Sequence, residues 1–219
     1  MDPSAQREGE GEGGPAGSAS LSASARTIGR IAWFDRRLFE VLSGWAAWAD
    51  DPRVAVALAE QARQRAWHAD LWFARLPELR EVDAEAQVAP AGTGIEAFCD
   101  ALAAIGAEGG DVEDPALAPT VVALAALARV VVPHQVALTV GVAERCRPAA
   151  DRALARTAEL VRRDQVEHWQ EAARSLDERL GRLGGGADDP SPVLDALASR
   201  QAALEALLVG AGGITGSAT

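Results

Sequence analysis

Asp50-Asp51-Pro52 leaves the chain around it little choice. Asp is a good N-cap and Pro suits the first position of a helix, because its missing N–H has no partner there anyway. Before this turn, Ile28, Ile31, Leu38, Leu42, Trp45 and Ala49 keep spacings of three and four, the period of one helix face. The spacing predicts a first helix over about Arg26–Ala49. A second helix is predicted from Pro52 to about Leu76, where Pro77 stops it. So short a turn makes the two an antiparallel hairpin.

The rest of the chain continues in the same mode. No stretch alternates like a strand, and the abundance of Ala, Leu, Arg, Glu and Gln favours helix. Residues 77–94 form a long connection, with Pro90, Gly92 and Gly94 near its end. A short helix over Ile95–Ala107 and a turn-rich segment over Gly109–Pro119 follow. A third long helix is expected over Thr120–Arg145, kinked at Pro133. Pro148 opens a fourth, which runs to Leu183 and ends at Gly184-Gly185-Gly186. A last helix is expected over Pro192–Val209. The fold class is therefore all-α: two antiparallel hairpins joined by a long crossover, with extra short helices. Residues 1–25, rich in Gly, Ser, Glu and Ala, read as a disordered tail. Residues 26–183 read as the bundle, 184–209 as a linker and C-terminal helix, and 210–219 as a flexible tail.

Charge limits the partners. The chain carries 21 basic residues, all Arg, against 32 acidic ones, a net charge of −11. Phosphate binding needs a cationic surface, so neither nucleic acid nor an anionic membrane is expected as a partner. Cys99 and Cys146 are too few for a disulfide framework or a four-thiolate zinc site. The longest apolar run without a charge, Ala116–Ala128, contains Pro119 and is followed by Arg129 and His134, so no membrane span is expected. With no apolar leader in the first 25 residues, the expected location is cytoplasmic.

A few polar residues stand out on the apolar stripes. Asp35 lies on the stripe of the first helix, and His68, His134 and His168 all lie in predicted long helices. The separations repeat, 33 from Asp35 to His68 and 34 from His134 to His168. With the helix order, this placement resembles the ferritin-like superfamily over roughly residues 26–183. Members hold two metal ions with a carboxylate from one helix and a Glu-x-x-His pair from the next, repeated in the second hairpin. The resemblance implies Asp35 and His68 as one half-site, and His134 and His168 as the other, with His134 where Glu is usual. The chain departs from the pattern at Arg65 and Gln165, which stand three positions before His68 and His168 in place of Glu. The nearest other carboxylates are Glu60, Asp164 and Glu167; a one-residue rotation or a π-bulge would bring Asp164 inward.

Two readings follow. In one, Asp35, His68, His134, His168, Asp164 and Glu167 hold iron, manganese or zinc, since neutral imidazoles facing one cavity suit a transition metal. The chain is then a metal-dependent oxidase or oxygenase, or an iron-handling protein. In the other, which the residues favour, Arg65 supplies the positive charge itself, Asp35 pairs with it and Gln165 completes a polar core without metal. The protein is then a ferritin-like bundle with a degenerate dimetal site, acting in binding or assembly as a homo-oligomer (a dimer) or with a protein partner. The helices near Ile95 and Leu197 either cap the bundle or form the dimer interface. Asp35, Arg65, His68, His134, Gln165 and His168 are expected to converge. Trp45, Trp72 and Trp169 either line a pocket or fill the core at helical spacing, and the second is favoured.

Overall fold

The structure, a computed structural model, describes residues 21–78, 82–106, 118–184 and 191–216. Among them it is all-helical, with no strand. The expected tail up to residue 20, the turn over 109–117 and Gly185-Gly186 lie outside the described residues.

Helix α1 spans Leu21–Trp48 and α2 spans Pro52–Phe73. The Asp51 side chain caps α2 by accepting the Arg53 N–H at 2.9 Å, with Pro52 at the first position, as the turn chemistry requires. A single 3₁₀ turn, Glu85–Gln87, and a short helix α3, Thr93–Ala103, occupy the connection. Helices α4 (Pro119–Ala126) and α5 (Val132–Arg145) form one rod, joined by a π turn over Leu127–Val131. The second hairpin is closed by α6, Arg152–Gly184, and the last described helix is α7, Ser191–Gly210.

The helix directions follow from what meets at each end. Thr120, at the start of the third rod, donates to Asp50 at 2.7 Å, and Arg179, late in α6, pairs with Asp50 at 2.9 Å. At the other end, Leu21 and Thr27 of α1 share a cavity with Ala74 after α2, Arg145 of α5 and Leu154 of α6. So α1 and α6 run one way, and α2 and the α4–α5 rod run the other. The connection must carry the chain from one end to the other. It crosses α1 at Gly29, where a Cβ would lie 1.9 Å from the Gln87 carbonyl oxygen; only glycine permits that approach. Helix α3 then packs on α1 through the stacked rings of Phe34 and Phe98, 6.4 Å between centroids, and α7 packs over α3 and the start of the rod.

Several boundaries differ from the sequence reading, among them the end of α2, at Phe73 and not Leu76, and the span of α3, Thr93–Ala103 and not Ile95–Ala107. Helix α1 begins five residues before Arg26, so 21–25 is helix and not tail. Helix α6 begins at Arg152, because Asp151 accepts the Arg147 N–H at 2.9 Å and holds 147–151 as a turn past Pro148. The end after Gly210 is folded back: Ile214 is buried, and Arg30 donates to the Thr215 carbonyl at 2.5 Å.

Pro133 does not simply kink its helix. The Val132 N–H reaches back to the Leu127 carbonyl, the five-residue step of a π turn. In that register Pro133 would have to donate to Ala128, and it has no N–H. The Trp169 indole N–H fills the gap, donating to the Ala128 carbonyl at 2.6 Å. By length and composition Pro119–Arg145 is apolar enough to cross a membrane, but 67% of its most apolar window is buried against the other helices.

Candidate functional site

The buried apolar residues fall into two clusters. One runs from Phe34, Leu42, Trp45 and Leu58 through the start of the rod to Leu176; the other holds Ile28, Ile31, Ala32, Trp72, Val142, Ala158 and Val161. Between them each long helix places polar residues in its buried stripe. Helix α1 brings Asp35, α2 brings Arg65 and His68, α5 brings Gln135 and Thr139, and α6 brings Gln165 and His168, all buried. A polar band therefore lies between the two apolar clusters, with Gln61 of α2 buried one turn before Arg65.

Its centre is a charge pair. Asp35 and Arg65 are both completely buried, with Nη1 of Arg65 3.8 Å from Oδ1 of Asp35. That distance gives Coulombic attraction without a hydrogen bond. Among the described residues no nitrogen of Arg65 has a hydrogen-bond partner. The Asp35 Oδ1 instead accepts Nε2 of Gln135 at 3.0 Å. Thr139 donates to the Gln165 Oε1 at 2.8 Å, and Nε2 of His68 lies 3.0 Å from Oδ2 of Asp164.

Burial dominates the titration of these groups. It raises the Asp35 carboxyl to about 6, against the opposing pull of Arg65, Gln135 and the Trp72 indole, which lies near without closing an ordinary hydrogen bond. Burial also lowers the Arg65 guanidinium, which Asp35 and Asp164 partly restore. His68 and His168 are each lowered to about 4, first by burial and then by repulsion from Arg65, although Asp164 opposes the shift in both. At neutral pH both imidazoles are uncharged, and Arg65 is the cation of the band.

A pH prediction arises here. An unfolded His titrates near 6.5 and these two near 4, so between those values the unfolded chain takes up protons that the folded one refuses. Stability should fall as pH is lowered through that window. Asp35 acts in the opposite sense: its raised pKa contributes stability that is full below about 3.8 and lost as pH rises through about 6. Two imidazoles against one carboxyl leave a net loss on acidification. Urea midpoints at pH 7, 5.5 and 4.5 should decline, less steeply in His68→Gln/His168→Gln. An equally steep decline in that variant would refute the assignment.

Most of the expected residues meet in the band, but His134 and Glu167 do not. His134 faces away from it: Nε2 lies 3.2 Å from Glu205 of α7, and Nδ1 approaches the Val130 carbonyl at 2.9 Å. The inner stripe of α5 is Val132, Gln135, Thr139 and Val142, so Gln135 takes the inward position beside it. Glu167 is exposed. Asp164 does reach the band, but from a regular α6; the π turn lies in the other helix of the hairpin. The three Trp do not share a pocket. Trp45 and Trp72 belong to different apolar clusters, and Trp169 is partly exposed on its bond to Ala128. Cys99 is a buried thiol pushed up to about 12 by desolvation, which makes it a poor nucleophile.

The band does not fit a metal centre. Among the described residues no three His, Cys, Asp or Glu side chains are grouped to hold an ion. Its middle is occupied by a guanidinium, which only donates and carries the same sign as a metal. Comparison with known proteins brings no match: no family model fits the sequence, and no curated protein or solved structure is significantly similar to it.

Proposed function

We propose that this chain is a ferritin-like bundle that has replaced a dimetal centre with the Asp35–Arg65 pair, and that it acts in binding or assembly and not in redox chemistry. The carrying observation is the complete burial of Arg65 against Asp35 at the depth where the resemblance puts a metal-bridging Glu. The antiparallel hairpins, the long crossover and the parallel run of α2 with the α4–α5 rod support the ferritin-like reading. For assembly, α7 offers Leu194 and Val209, both exposed and on one side of the helix; a dimer through this helix would cover them.

Elemental analysis of protein purified without chelators tests the proposal. The expected result is no stoichiometric iron, manganese or zinc, and no thermal shift on adding Mn²⁺. Arg65→Glu/Gln165→Glu should gain Mn²⁺ binding by equilibrium dialysis, because it restores two carboxylates beside His68 and His168. Two metals per wild-type chain would overturn the reading and favour the oxidase alternative.

A further inference from the structure

At the end of the bundle opposite Asp50, a half-open cavity of about 380 Å³ lies between the start of α1, the end of α2 and the α5–α6 turn. Part of its wall is apolar, formed by Leu21, Ile28, Val142 and Leu154, beside the hydroxyls of Ser24 and Thr27. Its ionisable rim is cationic, which is unusual in a chain of net charge −11. Arg75, Arg145 and Arg147 face a single acid, Asp151, so the rim carries 3 − 1 = +2. Asp151 is already engaged by Arg147, through its backbone N–H at 2.9 Å and its Nε at 3.1 Å. Neither Arg75 nor Arg145 has a carboxylate at ion-pair distance among the described residues, and Nε of Arg75 is buried without a hydrogen-bond partner.

We propose that this cavity binds a small amphipathic carboxylate, with its head on Arg75 and Arg145 and its apolar body against Ile28, Val142 and Leu154. Guanidinium groups favour carboxylates because the planar fork donates two parallel charge-assisted hydrogen bonds. A buried Nε lacking an acceptor is the group such a head would satisfy. The apolar part of the wall selects against an ion that is polar throughout, such as inorganic phosphate, because it would leave that part wet. At roughly 30 Å³ for each water-sized unit, the volume takes about a dozen non-hydrogen atoms, the size of decanoate. Ile28 and Val142 separate this site from the polar band, so it stands independently of the proposed function.

Calorimetric titration with decanoate below its micellar concentration tests the proposal, with decanol as the neutral probe and decyltrimethylammonium as the cationic one. Decanoate should bind with one site per chain, about tenfold or more tighter than decanol, and the cation should not bind. Arg75→Gln/Arg145→Gln should weaken decanoate about tenfold and leave decanol unchanged. Ala153→Trp, at an exposed wall position, should abolish binding of both without changing the circular dichroism. No decanoate binding, equal affinity for decanol, or binding that survives Ala153→Trp would each overturn it.

Discussion

Arg65→Met should lower the unfolding free energy by about 3–5 kcal/mol, among the largest losses available to a single substitution in this chain. The substitution leaves Asp35 completely buried with one hydrogen bond, from Gln135, and no cation. A buried charge stripped of its partner incurs its full desolvation penalty, or takes up a proton to escape it. Arg65 is what holds the Asp35 carboxyl down against burial, so its loss should drive that carboxyl further up and add a pH dependence near neutrality. The double variant Asp35→Leu/Arg65→Met separates this from lost packing. Removing both charges should recover most of the loss, since apolar residues of similar size often replace a buried pair at little or no cost. Urea unfolding of the wild type, both single variants and the double variant gives the coupling directly. If Arg65→Met costs less than about 1 kcal/mol, the pair is not the structural centre of the band.

Much of this centre is legible in the sequence, for physical reasons that differ by residue. Asp51-Pro52 announces a helix start because capping is local, needing only the two neighbouring residues. Asp35 and Arg65 are conspicuous because charges on an apolar helix stripe must find each other or stay unpaired. Gln135 and Thr139 are not conspicuous, since neither is charged and His134 sits next to them. Which of two adjacent residues faces inward depends on the phase of the helix, and the π turn ahead of Pro133 alters that phase by one residue. The turn is completed by Trp169 from another helix, a contact that no local pattern encodes. The fold-back after Gly210 escapes for the same reason: Ile214 and Thr215 are too short a segment to show periodicity, and they are held by Arg30 from the far end of the chain.

Trp45→Ala should cost about 3–5 kcal/mol, as large aromatic truncations in packed cores do. Trp45 is 1% exposed and lies in the larger apolar cluster, so Ala leaves a void that its neighbours in α2 and the rod fill only in part. It is also a tie between layers: its indole N–H donates to the Leu102 carbonyl at 3.2 Å, late in α3. That carbonyl also accepts the Ile105 N–H at 3.1 Å, so what the truncation removes is the tie between α1 and α3 and not the carbonyl's last donor. The loss should therefore be uneven across the molecule. Hydrogen exchange should accelerate most over Thr93–Ala103 and less in α6, which contacts the polar band from the other hairpin. Trp45→Phe keeps most of the apolar volume and loses only the hydrogen bond, and should cost about 1 kcal/mol. Trp67→Ala is the control, because Trp67 is 42% exposed; it should cost no more than about 1 kcal/mol. Equal costs at Trp45 and Trp67, or uniform exchange across the helices, would refute the claim that Trp45 fastens the connection to the bundle.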